Sequence, residues 1–399
     1  MRLIHASDLH LGASWYGVPR RTDQERVLEE ILDLCDKYVV DGLIVTGDVF
    51  SDRVEGGRHP QIARRLLEQL RGHLNHGRAV FLLRGNHDPL DLFGLMRLLV
   101  TELAGHEHWP LIVADLPGIY HIPGHELQII ALPYITPGML RDDTALLDLS
   151  PEQQLPGLAG LLSLRVQHLY RQASSTLPAI FAGHVMVGGA HLSEEREFEA
   201  GYNDELWLES GSLPQFTSYN ALGHIHLSQE IMGTGKPTWY AGSPDRMDLG
   251  EREYHPQVLL VDTPNTPGGT ATVQPIPLTT CTPFIEEELH GMEDVDRLCI
   301  SLEAAGSPDP LGRATIADVP VQSRGPVEGR IRLLAPRLQV RWALEEQALV
   351  TPIEWDDPHD LPTMMSSYLE RAYAGREDRR IRLMTAFQSL WGQSDEVML

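Results

Sequence analysis

Seven side chains of metal-ligand type stand at the ends of five short apolar runs. They are Asp8 and His10 in LIHASDLH, Asp48 in GLIVTGD, Asn86 in FLLRGNHD, His184 in AIFAGH, and His224 with His226 in NALGHIH. Two aspartates, one asparagine and four imidazoles suffice to hold two divalent cations that share one carboxylate. A fifth histidine, His87, is left over for chemistry, with Asp88 beside it. Each run ends in Gly or a polar residue, which places a side chain at the mouth of a sheet, where loops build sites. In Asp8-x-His10 and His224-x-His226 the spacing of two predicts an extended segment that points both ligands the same way. A lone Asp-x-His is ordinarily a turn, and Asn and His rarely end a buried strand without partners for their polar groups. Mixed imidazole, carboxylate and amide donors suit Mn²⁺ better than Mg²⁺, which prefers nearly pure oxygen ligation.

The elements behind these endings alternate in the first half. Strands are predicted at Arg2–Ala6, Gly42–Thr46 and Ala79–Leu83, and helices near Gln24–Tyr38, Gln61–Leu74 and Leu92–Leu103, as in stacked βα units. Leu28, Ile31, Leu32 and Leu34, with Ile62, Leu66, Leu67 and Leu70, form helical stripes of core type. After a helix near Leu155–Gln172 the chain becomes strand-rich, at Ala179–Ala182, Asn220–Leu222, Thr238–Ala241 and Gln257–Val261. Pro, Gly and Thr cluster between Val261 and Leu278 and suggest a break. Beyond it come a strand Phe284–Leu289, a helix Met292–Ala304, an interrupted loop, and strands Arg330–Leu334 and Leu338–Trp342. Two amphipathic segments close the chain. Leu361, Met365, Tyr368 and Leu369 fall at helical spacing in the first, and Phe387 and Trp391 mark the second.

The ordered D-x-H, GD, GNHD, GH and GHxH series resembles the calcineurin-like metallophosphoesterases. The stretches GHVMVGGAHLSEER, LPQFTSYNALGHIHLSQEI and TWYAGSPDRMDLGERE narrow the resemblance to the SbcD-type nuclease subunits of bacteria. It implies a two-sheet αββα sandwich over residues 1–270, a small α+β capping domain over 280–350 that contacts DNA, and C-terminal helices over 358–399 that bind an SbcC-type ATPase. It also implies that Asp8, His10, Asp48 and His226 hold one metal and Asp48, Asn86, His184 and His224 the other. Two Mn²⁺ ions are the implied cofactor, and His87 the implied proton donor to the leaving 3′ oxygen. Asp88 either orients that imidazole or caps the next helix. Many relatives carry a second, non-ligand histidine three residues after the GD aspartate; Ser51 holds that place here. The implied activity is metal-dependent exonuclease and endonuclease cleavage in double-strand-break and hairpin processing, by a homodimer within a heterotetramer. A small-molecule phosphodiesterase or phosphatase, and a catalytically dead scaffold, are the alternatives. A dead scaffold is disfavoured because no ligand is missing.

Bulk properties bound these expectations. The 399 residues leave room for two domains. No apolar run approaches the roughly twenty residues of a membrane span. No signal peptide is expected, because cleavage would remove Asp8, and three dispersed cysteines suit a reduced, cytoplasmic protein. The net charge of −24 argues against a nucleic-acid partner only in sum. Arg330, Arg332 and Arg341 lie in a window of six arginines between Leu311 and Arg341, opposed by Asp318 and Glu328 alone, and are candidate DNA contacts. The lysines are Lys37 and Lys236, and Pro237 follows Gly-Thr-Gly-Lys where a phosphate-binding loop needs Ser or Thr. ATP dependence must then come from a partner.

Overall fold

The computed structural model describes residues 1–52, 54, 57–100, 110–140, 151–191, 206–305, 309–343, 361–373 and 377–394. Two six-stranded sheets dominate. The first runs Thr272–Pro277, Gln257–Asp262, Arg2–Ala6, Gly42–Thr46, Ala79–Leu83 and Leu111–Ala114 in order across the sheet. Its last four strands are parallel, and Gln257–Asp262 pairs antiparallel with Arg2–Ala6. The second runs Gln229–Glu230, Thr238–Tyr240, Tyr219–Gly223, Ala179–His184, Gln128–Leu132 and Gly118–His121. Strands Gly42–Thr46, Ala79–Leu83, Ala179–His184 and Tyr219–Gly223 are buried at every residue. Parallel strands covered on both faces need such continuous apolar runs, and this is why they read clearly in the sequence.

Three buried layers follow. Helices Arg21–Lys37, His59–Asn75 and Leu90–Arg97 cover the outer face of the first sheet through Val27, Leu28, Ile31, Leu66, Leu70 and Phe93. Helix Pro151–Gln172 covers the second through Leu158, Leu162, Val166 and Leu169. Between the sheets Ile44, Phe81, Ile129, Ile180 and Tyr219 interdigitate with alanines. The result is an αββα sandwich. Within it His5 is fully buried, bonded to Tyr219 and Thr46, and burial pushes its pKa down to about 3. It is therefore a neutral core residue and not an eighth ligand.

The predicted break after Val261 is instead a hairpin. Thr272–Pro277 returns antiparallel to Gln257–Asp262 and extends the first sheet past residue 270. Beyond it, Phe284–His290, Leu311–Ala317 and Leu338–Trp342 form a separate parallel sheet with its own core of Leu289, Val295, Cys299, Ile316, Val327 and Ile331. Arg330–Leu334 is not the strand predicted from sequence. It ends helix Val321–Leu334, and the buried pair Val327 and Ile331 explains why. Their spacing of four seats a helix on the sheet, whereas Gly325, Pro326 and Gly329 disguise it as a loop. Strand Leu311–Ala317 was hidden inside the same interrupted stretch. Helices Leu361–Ala372 and Glu377–Ser394 complete the described chain, and no helix among the described residues is long and apolar enough to cross a membrane.

Candidate metal centre

All seven candidate ligands converge where the carboxyl ends of parallel strands from both sheets meet, the usual place for α/β sites. The backbone registers the loops before any ligand acts: the Asp8 amide donates to the Gly47 carbonyl (3.0 Å) and the His10 amide to the Asp48 carbonyl (2.9 Å). Asp8, His10, Asp48 and His224 all have positive φ, at 52°, 44°, 48° and 101°. Non-glycine residues in such conformations cost about 1–3 kcal/mol each and persist where surrounding structure enforces them. Convergence in Asp8-x-His10 thus comes from left-handed turns, and the extended segment predicted from the spacing of two is not found. The glycines before the ligands have a steric reason. A Cβ on Gly47 would lie 2.0 Å from His184 Nδ1, and one on Gly85 would lie 2.1 Å from Asp48 Oδ1.

The ligand atoms form two groups. In one, the Nε2 atoms of His10 and His226 stand 3.1 Å apart, with Asp8 Oδ1 4.0 Å from His226. In the other, Asn86 Oδ1 lies 2.9 Å from His184 Nε2 and 3.1 Å from His224 Nδ1. A single Asp48 oxygen faces both groups, 3.8 Å from His10 Nε2 and 3.4 Å from His184 Nε2. Asp8 also comes within reach of the Asp48–His184 group. His224 and His226 thus diverge to different groups.

The donor set fits divalent cations. His226 Nδ1 faces the Glu251 carboxylate (2.6 Å), and His184 Nδ1 faces the Thr46 carbonyl (2.8 Å). Both partners only accept, so each Nδ1 carries hydrogen and each Nε2 is turned to the centre. Two imidazole nitrogens about 3 Å apart are spaced as neighbours on one cation with bonds of about 2.0–2.1 Å.

Charge supports the same reading. Burial pushes His10 down to about 3, with Asp48 offsetting only part of that. Burial opposes ionisation of Asp48 as well, but His184 and His10 hold its carboxyl far below the usual range. For His184, burial lowers the pKa, yet the Asp48 carboxylate more than compensates and lifts it to about 9. Without metal, a proton therefore occupies His184 at neutral pH. It stabilises the metal-free fold below the unfolded value near 6.5, and this contribution fades as pH rises through about 9. Metal uptake must expel that proton. Apparent affinity should rise about tenfold per pH unit up to about 9 and then flatten. Calorimetry at neutral pH in two buffers of different ionisation heat should show about one proton released; no release would mean that His184 is already neutral without metal.

His87 stands at the mouth. Its ring lies edge-on to His10 (5.1 Å between centroids), its Nδ1 is 3.3 Å from Asp52 Oδ1, and its amide donates to Asp48 Oδ1 (2.8 Å). Asp88 neither orients His87 nor caps the following helix. Its buried carboxylate accepts the Gly85 and Phe50 amides (2.7 Å each) and the Val49 amide (3.3 Å), and helix Leu90–Arg97 has no side-chain cap. It cross-links the two metal loops, and burial with the Asp48 charge pushes its pKa up to about 7. Ser51 is buried, and its carbonyl faces His59 Nε2 at 2.8 Å.

Sequence reasoning missed Asp52, Glu251 and Tyr134, whose ring lies 5.8 Å from His224 and 6.2 Å from His184. The adjacency of Asp52 to Ser51 and the presence of Glu251 in TWYAGSPDRMDLGERE were the available signals.

The remaining candidates lie outside the centre. Arg330 pairs with Asp296, Arg332 with Glu328 (2.6 Å), and Arg341 stacks on Tyr16 at 5.8 Å. In the C-terminal helices Leu369 is buried, Met365 and Phe387 are half-buried and Tyr368 is exposed. The side chains of Leu361 and Trp391 lie outside those described.

Comparison with known proteins agrees with this geometry. Residues 1–256 match the family model described as calcineurin-like phosphoesterase. The chain is 29% identical over 304 residues to the SbcD component of the nuclease SbcCD of Bacillus subtilis, covering 74% of each chain. It is 30% identical over 266 residues to the corresponding Escherichia coli K12 protein, covering 63% of this chain and 62% of that one. Against "DNA double-strand break repair protein Mre11" of Aeropyrum pernix it is 24% identical over 265 residues, covering 65% and 58%. The chain belongs to the calcineurin-like phosphoesterase family and is a metal-dependent phosphodiester hydrolase.

Proposed function

We propose that this chain is the nuclease subunit of an SbcCD-type complex and cuts DNA phosphodiesters, in double-strand-break and hairpin processing. The observation that supports the reading is the convergence of Asp8, His10, Asp48, His184 and His226 into two groups able to hold metal, with Asn86 and His224 beside them and His87 at the mouth, in a chain similar to nuclease subunits over 74% and 63% of its length. Two Mn²⁺ ions, when bound, lower the pKa of an attacking water and offset charge on the phosphoryl oxygens. Asp48 ties the two half-sites together, and the loops around it hold them in register. His87, with Asp52 against its Nδ1, delivers a proton to the leaving 3′ oxygen. The free cysteines Cys35, Cys281 and Cys299 suit a cytoplasmic location. Purified protein incubated with end-labelled DNA, with Mn²⁺ and then with EDTA, tests the activity. Hydrolysis of a small phosphodiester without cleavage of DNA would favour a small-molecule enzyme instead.

DNA contact by Arg330, Arg332 and Arg341 is part of this reading. The exposed Arg330–Asp296 pair is screened by solvent, so a phosphate can compete for the guanidinium. Replacing the three with Glu should weaken DNA binding and flatten its salt dependence, by a log–log slope of up to about 0.9 per lost contact. Cleavage of a small chromogenic phosphodiester should stay within about twofold, because the substitutions lie outside the centre. A parallel fall of both activities would make the arginines structural.

The ATPase partner is assigned to the C-terminal helices, with Leu361, Met365, Tyr368, Phe387 and Trp391 as docking residues. Leu369, on the first of these helices, is buried. Exposed Leu90, Leu95, Leu98 and Leu99 offer a second copy an apolar surface, consistent with a homodimer in a heterotetramer. Truncation before Asp360 should leave a folded, metal-dependent nuclease that no longer co-purifies with the ATPase. An insoluble product, or an intact complex, would contradict the docking role.

A further inference from the structure

What fixes His226 lies outside the ligand set. Its Nδ1 is 2.6 Å from Oε1 of Glu251, a carboxylate 2% exposed, and Oε2 of the same group accepts the Met247 amide at 2.6 Å. Both oxygens are thus committed in fixed directions. Glu251 ends the short helical turn Leu249–Glu251, and the segment before it is anchored beneath the centre. The Ser243 hydroxyl donates to the Asp8 carbonyl (3.0 Å), and Asp245 pairs with buried Arg20 (2.6 Å) and accepts the Thr282 amide (2.8 Å). In the second group of ligands, His184 is oriented by the neutral Thr46 carbonyl, and Asn86 contributes no charge.

The halves are consequently unequal. The Asp8–His10–His226 half has the Asp8 carboxylate, a share of Asp48, and the Glu251 charge directly behind an imidazole. The Asn86–His184–His224 half has its share of Asp48 and the nearby Asp8 carboxylate, while the Nδ1 of its His184 faces a neutral carbonyl. A carboxylate bonded to the far nitrogen of a ligating histidine fixes the ring and its tautomer and raises the basicity of the ligating nitrogen.

We infer that Glu251 is a positioning residue that makes the Asp8–His10–His226 half-site the tighter of two and the first to fill. The inference rests on the two-ion reading above. Glu251→Gln keeps the size of the side chain and an acceptor for Nδ1 but removes the charge; Glu251→Ala removes both. Metal-free wild type, both variants and Asn86→Ala are titrated with Mn²⁺ by calorimetry, with bound metal counted by equilibrium dialysis. Wild type should bind two ions in separable steps, and Asn86→Ala should weaken the second. Losing Glu251 should weaken the first step by about 10–100-fold, more for Ala than for Gln, and leave the second within about twofold.

Thermal unfolding of the metal-free proteins in chelator separates this from a packing role. Glu251→Gln gives up the acceptor for the Met247 amide and should melt slightly below wild type, while its first-step loss exceeds what that shift accounts for. The inference is overturned if Glu251→Gln leaves both steps unchanged, weakens both equally, or loses affinity only in proportion to a lowered melting temperature. Wild type that binds one ion or none would overturn the two-ion reading instead.

Discussion

Asp48→Ala should yield a folded protein that retains neither metal and has lost cleavage by about 10³-fold or more, since Lewis-acid stabilisation is worth several kcal/mol and each 1.36 kcal/mol is tenfold. One oxygen of Asp48 faces an imidazole of each half-site, and the other accepts the His87 amide, so no substitution at a single-sided ligand should match it. The carboxylate is also what lifts His184 against its own burial. Without it, the imidazole becomes neutral at a lower pH and the proton released on metal uptake disappears. Metal analysis after gel filtration decides the matter. Two ions retained in Asp48→Ala would remove Asp48 as the bridge. Asp8→Ala should act mainly on the His226 half, with a smaller effect on the other because Asp8 approaches that group too.

His87→Ala should do the opposite: both metals and DNA binding are kept, and cleavage falls by about 10²–10⁴-fold, the usual worth of a positioned acid or base. The imidazole is 38% exposed, stands beside the ligands without joining either group, and has Asp52 at its Nδ1. Asp52→Asn should reproduce a fraction of the loss, because the ring stays but loses the carboxylate that faces its Nδ1. A phosphodiester with a far better leaving group should partly rescue His87→Ala. Loss of metal would make His87 a ligand, and absence of rescue would make it a hydrogen-bond donor to the transition state instead of an acid.

The parts of this account that could be read from sequence share one property. Strands such as Gly42–Thr46 and Ala179–His184 are buried on both faces, so selection for apolar side chains is continuous and the polar residue that ends each run is conspicuous. The ligands were legible for that reason, although the geometry that joins them was not. Asp8 and His10 are brought together by left-handed backbone, which a spacing of two does not reveal. Asp88 was misread because its three partners, Val49, Phe50 and Gly85, are backbone amides, and amides have no residue-type signature. Glu251 is twenty-five residues from the histidine it orients, and only folding brings the two together. Helix Val321–Leu334 was hidden by Gly325, Pro326 and Gly329, whose local cost is outweighed when Val327 and Ile331 are buried.

One titration tests directly whether this chain is a dinuclear, metal-dependent nuclease. Protein stripped with EDTA is reconstituted stepwise with Mn²⁺ and assayed at each step on end-labelled linear double-stranded DNA, with fully loaded His87→Ala beside it. The stripped protein should not cleave, full activity should appear only as the second equivalent is bound, and loaded His87→Ala should reach at most about 1% of that rate. Cleavage that survives EDTA, or that is complete at one equivalent and indifferent to His87, would contradict this assignment.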